Sequence, residues 1–405
     1  MKKIVSFLLC CLLAFSLVGC KGSEKGPEEV TVAVAIATMT DEYVRMQDYF
    51  NNYLGPALNV KFIFSSEIKS VEEYMTFIEN AVTAGATGLV DLAGSKDTAE
   101  AIDAKCKEFN IPFSTWTTAN FKALQNPSGL LAGGVGSDAT QLENAAHDWA
   151  KKIFTGEGEL NLVICSIIAY LNNTMHVPAT TGYLKAISEN YNLGLTDDEI
   201  HDLVFSDTNR KWSKGNVNLL FVPGLPGSNY GDTDAAAPMV EAGKYDTIIL
   251  SGDSYPKFFQ TLDRWEETMN RDFQVYTLGV VSDAIYNGFN EKDIAGNPKL
   301  QSVLMKTGTA GIFGLAILLN EMYGNDEVLG DHGVFPLSFS PLTGAAEYES
   351  AKLIDTAEAY YTITVDEFKS MLKVYNSDLT FDGLYEKVST YSQIASAIER
   401  RQIGK

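Results

Sequence analysis

Apolar and polar positions along the chain form blocks that alternate between two periodicities. The run VTVAVAIA at 30–37 is continuously apolar and rich in β-branched residues, which predicts a strand buried on both faces. Residues 42–55 then place aromatic and methionine side chains three and four positions apart, just before Pro56. This spacing predicts an amphipathic helix, and the pair Gly55-Pro56 predicts where it ends.

The same alternation of strand and helix signals continues to residue 323. Further strands are predicted at 59–66, 87–94, 111–118, 129–138, 159–170, 216–224, 245–254, 273–283 and 300–308. Further helices are predicted at 71–84, 96–109, 139–154, 177–191, 235–242, 255–269 and 309–323. Repeated strand–helix units predict the α/β class, with doubly wound parallel sheets built by right-handed crossovers.

The number of strands bears on the division into domains. About ten strands in two successive sets favour two lobes over one very wide sheet. We predict that residues 30–155 form lobe 1 and residues 156–283 form lobe 2, with a hinge between them, and that residues 284–323 return to lobe 1. The tail lacks the alternation, so we predict an irregular C-terminal extension, with part of 324–405 packing on lobe 2.

The N-terminus has the pattern of an export signal. Lys2 and Lys3 precede an apolar run at 4–19, which is shorter than the ~20 residues of a membrane span. The stretch Leu17-Val18-Gly19-Cys20 resembles the lipobox of bacterial lipoproteins, which implies cleavage before Cys20 and acylation of its sulfur, for example by palmitate. We therefore predict a signal peptide at 1–19 and a flexible tether at 20–29; an ordinary secretory signal is the alternative.

The charge of the chain excludes one class of partner. Lysine and arginine number 31 against 52 aspartate and glutamate residues, a formal net charge of −21. Because such a charge repels phosphate backbones, nucleic acid is not expected as a partner. The charge says little about a neutral ligand bound in a cleft.

Cysteine, histidine and glycine patterns give no sign of catalysis or of a cofactor. Cys106 and Cys165 fall in different predicted halves, which favours two separate buried thiols over a disulfide. The four histidines are scattered, without the spacing of a metal site. The chain contains no GxxxxGK[ST], GxGxxG or GxSxG motif, so we predict that it is not an enzyme.

Several stretches resemble the substrate-binding proteins of ABC importers, in the sugar-type class of the ribose- and galactose-binding proteins. These stretches are 77–113, 133–150, 275–289 and 304–322, and the resemblance covers roughly residues 30–323. It implies a type I periplasmic-binding-protein-like fold and a monomer, with a membrane permease as partner. With the lipobox, it implies a protein held at the cell membrane through Cys20 and facing the periplasm or cell exterior.

Candidate ligand-binding residues follow from the fold that the pattern predicts. In open α/β sheets ligands bind at the carboxyl ends of the strands, and in two facing lobes these ends share one cleft. Neutral polyols need aromatic faces for their C–H patches and Asp or Asn for their hydroxyl groups. The residues predicted to bind ligand are Thr40, Tyr43, Ser95, Trp116, Asp138, Tyr170, Asn172, Asp253, Asp283 and Lys306.

Two features leave alternatives open for this site. The polar residues Ser95, Asp253 and Asp283 each precede a predicted helix, so they are also explained as N-caps. The family's sugar sites usually carry an arginine after the third or fifth strand. The corresponding turns, Gly94-Ser95-Lys96 and Ser137-Asp138-Ala139, contain none.

The function expected from these features is that of an extracytoplasmic solute-binding lipoprotein. It would capture a small neutral hydroxyl-rich ligand, a sugar or sugar-like molecule, in an interlobe cleft for ABC import. Binding of a nucleoside or a furanosyl signal molecule is an alternative. A further alternative is a sensor ectodomain that passes closure of its lobes to a membrane kinase.

Overall fold

The structure is a computed structural model. It describes residues 27–37, 39, 41–94, 98–117, 127–136, 139–166, 176–206, 208–223, 240, 243–251, 255–280, 283–306, 310–354, 359–360 and 363–401. The predicted signal peptide, Cys20, most of the predicted tether and nearly all of the helix predicted at 235–242 lie outside these residues. Within them, no helix is both long enough and apolar enough to cross a bilayer.

The first lobe contains a parallel sheet of six strands among the described residues, in the order β12-β5-β4-β3-β1-β2. The strands are β1 (Val30–Ile36), β2 (Val60–Glu67), β3 (Gly88–Leu92), β4 (Phe113–Thr117), β5 (Leu131–Gly136) and β12 (Val334–Pro336). The helices that follow the early strands are α1 (Asp41–Tyr49), α2 (Val71–Thr83) and α3 (Ala99–Phe109).

Strand β1 is buried on both faces, as its unbroken apolar run predicts. Val32 and Val34 pack in one core cluster with Met46 of α1, whereas Ala33 packs on the opposite face in a cluster with Tyr74 of α2. This double coverage is the doubly wound arrangement, and it confirms the predicted fold class.

The predicted end of the first helix at Gly55-Pro56 is wrong. The helix widens into a π-helical turn at Phe50–Leu54 and continues over Gly55–Leu58, ending at Asn59, which adopts the left-handed conformation with φ 59°. Pro56 has no N–H to donate, and it is tolerated because the π-helical turn before it already interrupts the regular i→i−4 hydrogen bonds. Gly55 is required because a Cβ there would stand 2.8 Å from the carbonyl oxygen of Val60.

The second lobe contains a sheet of seven strands within the described part of the chain, in the order β13-β11-β10-β9-β6-β8-β7. The strands are β6 (Leu160–Cys165), β7 (Arg210–Lys214), β8 (Val217–Val222), β9 (Thr247–Ser251), β10 (Gln274–Val280), β11 (Ser302–Lys306) and β13 (Ser340–Thr343). The two edge strands β7 and β13 are antiparallel to their neighbours, and the other pairings are parallel.

The helices that follow β5 belong to both lobes and to the C-terminal tail. They are α4 (Ala139–Ile153), α5 (His176–Asn190), α6 (Asp197–Val204), α7 (Tyr255–Met269), α8 (Asp283–Asn290), α9 (Ala310–Met322), α10 (Ala345–Ile354), α11 (Val365–Lys369), α12 (Phe381–Tyr391) and α13 (Ile394–Arg400). A short hairpin, β14 (Ala359–Tyr360) with β15 (Ile363–Thr364), precedes α11.

The predicted lobe boundaries need two corrections. Helix α4 packs against α5 in the core of the second lobe, so the first lobe is left after β5 and not at residue 155. Within 284–323, β11 pairs with β10 in the second sheet, while α9 packs against β3, β4 and β5 of the first. The sequence did not separate these cases because an apolar helix can cover either of two similar sheets.

The C-terminal extension is regular, contrary to the prediction. Strand β12 joins the first sheet and β13 the second, so the tail contributes to both lobes. Buried polar contacts then fasten it to the first lobe. Asn320 of α9, which is fully buried, donates to the carbonyl of Met371 at 2.8 Å and accepts from the amide of Lys373 at 2.9 Å. Tyr49 of α1 donates its hydroxyl to the carbonyl of Ile363 at 3.0 Å.

Both cysteines in the described residues are free and buried, which confirms the prediction of separate thiols. Cys106 lies in α3 of the first lobe and Cys165 at the end of β6 in the second. Burial raises the pKa of the Cys165 thiol to about 12 and also raises that of Cys106.

Candidate functional site

The first connection between the lobes runs from Gly136 at the end of β5 to Ala139 at the start of α4. Three residues of extended chain span at most ~11 Å. Helix α4 is followed by β6 after a short loop, so it runs antiparallel to that strand and begins at the carboxyl edge of the second sheet. The carboxyl edges of the two sheets are therefore close together at this connection.

A second connection runs from the end of β11 to the start of α9. Helix α9 is antiparallel to the first sheet, because Met322 near its end lies beside Gly88 at the start of β3. Gly311, near the beginning of the helix, lies beside Leu92 at the end of β3. This connection therefore also joins the carboxyl edge of one sheet to the carboxyl edge of the other.

A third connection, residues 337–339, links the edge strands β12 and β13. β12 is parallel to β5 and so ends at the carboxyl edge of the first sheet, and Ser340 of β13 pairs with Met305 near the carboxyl end of β11. Three short connections between described elements thus join the same two edges. The space between these edges is the candidate ligand cleft, since strand ends of both lobes face it.

On the first lobe, the buried carboxylate of Asp91 organises the turn after β3. Its Oδ1 accepts from the hydroxyl of Tyr74 and from the amides of Ala93 at 3.1 Å and Gly94 at 2.6 Å. Its Oδ2 accepts from the hydroxyl of Thr115 at 2.8 Å. Burial raises the pKa of Asp91, and these hydrogen bonds oppose that shift. Asp91 is not in the predicted set, because it stands inside an apolar strand where the sequence pattern gives no sign of a polar role.

Two of the predicted residues, Tyr43 and Trp116, lie on the same wall of the first lobe. Both are partly buried against a core cluster that extends over both lobes, near the start of α1 and the end of β4. Ser114 faces α9, since its Oγ lies 3.2 Å from the position of a Cβ on Gly314, and Trp116 two residues later points to the same side. Helix α1 packs there too, because Met46 contacts α9.

Glu67, at the end of β2, fixes a neighbouring part of the carboxyl edge of the first sheet. The carboxylate accepts from the amide of Met39, which follows β1, at 2.9 Å. This hydrogen bond is the main reason that the pKa of Glu67 is lowered. The amide of Ile36 donates to the hydroxyl of Ser65 at 2.9 Å, so the carboxyl ends of β1 and β2 are tied together.

On the second lobe, the edge holds a pair of buried polar side chains, Ser166 and His176. Ser166 directly follows β6 and His176 begins α5; Oγ and Nδ1 are 3.4 Å apart. They bracket residues 167–175, which contain Tyr170 and Asn172 of the predicted set. Neither Ser166 nor His176 is in the predicted set. The strand was predicted at 159–170, which places Ser166 inside it, whereas β6 ends at Cys165.

The other predicted residues divide into two groups. Asp283 is the first residue of α8 and Lys306 the last of β11, so the backbone of each stands at the carboxyl edge of the second sheet. The remaining predicted residues lie outside the described part of the chain and stay predictions: Thr40, Ser95, Asp138, Tyr170, Asn172 and Asp253. The described residues therefore place predicted positions at the carboxyl edges of both sheets.

Solved structures of the same fold align over almost the whole of their own chains. The arabinose-binding protein AraP from Geobacillus stearothermophilus aligns with a TM-score of 0.54 at 15% identity, covering 80% of this chain and 99% of its own. An ABC transporter solute-binding protein from Bacillus halodurans with bound myo-inositol gives 0.51 at 14% identity, covering 80% and 99%. The transcription regulator CcpA of Lactococcus lactis gives 0.50 at 15% identity, covering 78% and 99%.

These similarities establish the type I periplasmic-binding-protein-like fold that the sequence predicted. No family model matches the chain, and no curated protein matches its sequence. Because transport receptors and a transcription regulator share this fold, the choice of function depends on the site and on the chain's own chemistry.

Proposed function

We propose that this protein is an extracytoplasmic solute-binding lipoprotein that delivers a small neutral ligand, a sugar or sugar-like molecule, to the permease of an ABC importer. The observation that carries the proposal is the set of three short connections that hold the carboxyl edges of both sheets around one cleft. Contacts from both lobes to one ligand exist together only when the cleft is closed. The ligand therefore favours the closed form, which the permease recognises.

The chemistry of the first wall supports a hydroxyl-rich ligand. Tyr43 and Trp116 offer aromatic faces suited to the C–H patches of a sugar ring. The predicted set contains one cation, Lys306, and no arginine, which does not favour a phosphate or carboxylate ligand. AraP is named for arabinose and the Bacillus halodurans protein holds myo-inositol, which supports the same ligand class.

The net charge of the chain argues against the role of the transcription regulator that shares its fold. A formal charge of −21 repels the phosphates of DNA, whose attraction to basic side chains supplies most of the affinity in DNA binding. The predicted signal peptide also favours a site outside the cytoplasm. We therefore propose a binding protein and not a regulator.

A thermal-shift panel of pentoses, hexoses, myo-inositol, nucleosides and amino acids tests the ligand class. The proposal predicts a dose-dependent rise in Tm with at least one sugar or polyol, and recovery of that ligand chemically unchanged from the complex. A rise with an amino acid and none with any polyol would show that the ligand class is wrong. Conversion of the ligand during incubation would refute the assignment as a binding protein.

Trp116→Ala, with Trp212→Ala as the matched control, locates the site. Trp212 lies on the edge strand β7 and is also partly buried, but not at the carboxyl edges that form the cleft. We expect W116A to weaken the identified ligand about tenfold or more, because an aromatic contact contributes ~1 kcal/mol beyond the area it buries. W212A should bind like the wild type. Equal affinities for wild type and W116A would place the ligand elsewhere.

The membrane anchor is proposed from the sequence alone. In a bacterial host, the mature protein should fractionate with membranes and carry a diacylglyceryl group on Cys20, detectable by mass spectrometry of the N-terminal peptide. Cys20→Ser should release the protein or block its processing. A soluble wild-type protein cleaved at another residue would favour the ordinary secretory signal.

A further inference from the structure

Three carboxylates meet at the end of the second lobe that lies away from the cleft. Glu266 is in the last turn of α7, Asp272 precedes β10, and Asp293 lies in the loop after α8. One oxygen of each lies within 4.8 Å of the others. The cluster precedes the first residue of β10, whereas the cleft lies beyond its last, so the two are separated by roughly 20 Å of strand.

Each carboxylate has one oxygen held by donors. Glu266 Oε1 accepts from the amide of Phe273 at 3.3 Å. Asp272 Oδ2 accepts from the side-chain amide of Asn297 at 2.7 Å, and Asp293 Oδ1 accepts from the backbone amide of the same residue at 2.8 Å. These bonds fix the orientation of all three groups.

The opposite oxygen of each carboxylate is buried and has no hydrogen-bond partner: Glu266 Oε2, Asp272 Oδ1 and Asp293 Oδ2. Glu266 is 0% exposed, so water does not solvate this oxygen. A buried carboxylate without a partner costs several kcal/mol, and three together repel one another as well. Glu266 also stands at the negative end of the α7 dipole, which adds to the cost.

The basic side chains that flank the cluster are engaged elsewhere. Arg271 donates to the carbonyls of Tyr245 at 2.7 Å and Gly243 at 3.0 Å, and Lys299 pairs with Asp263 at 2.9 Å. Among the described residues, no lysine, arginine or histidine forms an ion pair with any of the three carboxylates. Burial and the neighbouring carboxylates raise the pKa of Glu266 to about 7 and also raise the pKa of Asp272. The cluster therefore needs either bound protons or a cation to offset its negative charge.

We propose that Glu266, Asp272 and Asp293 bind a divalent cation of the calcium type, which stabilises the second lobe. An all-oxygen ligand set suits a hard cation, and it lacks the imidazole or thiolate that zinc prefers. Ca–O distances of ~2.4 Å let a single ion reach oxygens that are up to ~4.8 Å apart, which matches the span of the cluster. The ion joins α7 to the loop after α8 and clamps the two connections that lead into β10 and β11.

Thermal unfolding of the full mature protein in EDTA, CaCl2 or MgCl2 tests this site without any sugar present. Wild type should gain Tm with the logarithm of the CaCl2 concentration, as expected for an ion that binds only the folded state. MgCl2 at the same concentrations should give a smaller gain, because magnesium demands a regular octahedron. No gain with CaCl2 would show that the carboxyl groups share protons instead and would refute the proposal, as would a gain with MgCl2 alone.

Glu266→Gln, with Glu267→Gln as the matched control, assigns the ion to the cluster. Glu267 is the exposed neighbour on the same helix, so its substitution removes the same charge without touching the cluster. E266Q should lose the calcium-dependent gain, yet its Tm in EDTA should equal or exceed that of wild type, because one uncompensated charge is gone. E267Q should keep the gain. If E266Q does not fold, Asp272→Asn replaces it, because Asp272 lies at the half-buried rim of the cluster. A calcium-dependent gain in Tm that is retained in either variant would overturn the assignment.

Discussion

Asp91 offers the sharpest test of how the first-lobe wall is built. The side chain is 3% exposed, and it accepts hydrogen bonds from four donors. Asp91→Ala removes the acceptors of all four at once. The hydroxyl of Tyr74 is then left buried, whereas the amides of Ala93 and Gly94 lie in a half-buried turn that water can reach.

The expected cost of D91A follows from this difference. A buried donor without a partner costs about 1–3 kcal/mol, and two partly hydrated amides add ~1 kcal/mol together. Relief of the buried negative charge offsets a part of the loss. We therefore expect D91A to lower the free energy of unfolding by about 1–3 kcal/mol, less than the ~2–4 kcal/mol that the lost hydrogen bonds alone would cost. Asp91→Asn keeps Oδ1 and its three donors, and its amide can donate to Thr115, so it should cost only ~1 kcal/mol.

Urea denaturation with linear extrapolation measures the free energy of unfolding of both variants. The decisive comparison repeats D91A in a protein that already carries Tyr74→Phe. In Y74F the buried donor is absent, so D91A should cost ~1–2 kcal/mol less than it does in the wild type. If D91A is no more costly than D91N, or if its cost is the same in both backgrounds, the hydrogen-bond account of this turn is wrong.

Further predictions concern the tail and the thiols. Asn320→Ala should lower the free energy of unfolding by about 2–4 kcal/mol in urea melts, because it leaves a carbonyl and an amide of the tail without partners; a change below ~0.5 kcal/mol would contradict this. Burial favours a higher pKa for Glu367. Hydrogen bonds from Arg400, from the amide of Thr364 and from Arg401 outweigh this effect and lower the pKa below 4.5. The ionised carboxylate therefore stabilises the fold at pH values above its usual pKa, and this stabilisation is lost as the pH falls. We expect the Tm difference between wild type and Glu367→Gln to shrink from pH 7 towards pH 3. A difference that stays constant over this range would contradict the lowered pKa of Glu367. Cys106 and Cys165 should react with a thiol reagent only after unfolding, and rapid labelling of the native protein would contradict their burial.

The sequence by itself determined the fold class and most of the strands and helices between residues 30 and 323. The apolar run at 30–37 leaves no polar face and is rich in β-branched residues, which favours a strand covered on both sides. Helix α2 ends at Thr83, one residue before the predicted end, and Gly85 follows it with φ 101°. The buried thiols of Cys106 and Cys165 were also predicted, because their positions in separate predicted halves favour free thiols over a bond between them. These are properties of short segments of sequence, for which hydrophobic periodicity and backbone preference are enough to make the prediction.

Tertiary structure decided which sheet each helix covers and which polar groups meet. Helices α4 and α9 have apolar faces that fit either lobe, and the chain's path between the lobes assigns them. Asp91 acquires its role from donors at positions 74, 93, 94 and 115, which come together only when β3, β4 and α2 pack. Glu266, Asp272 and Asp293 are scattered without a motif and meet only in three dimensions. The hydrophobic pattern specifies burial one residue at a time, whereas a site depends on distances between segments, and those distances exist only in the packed chain.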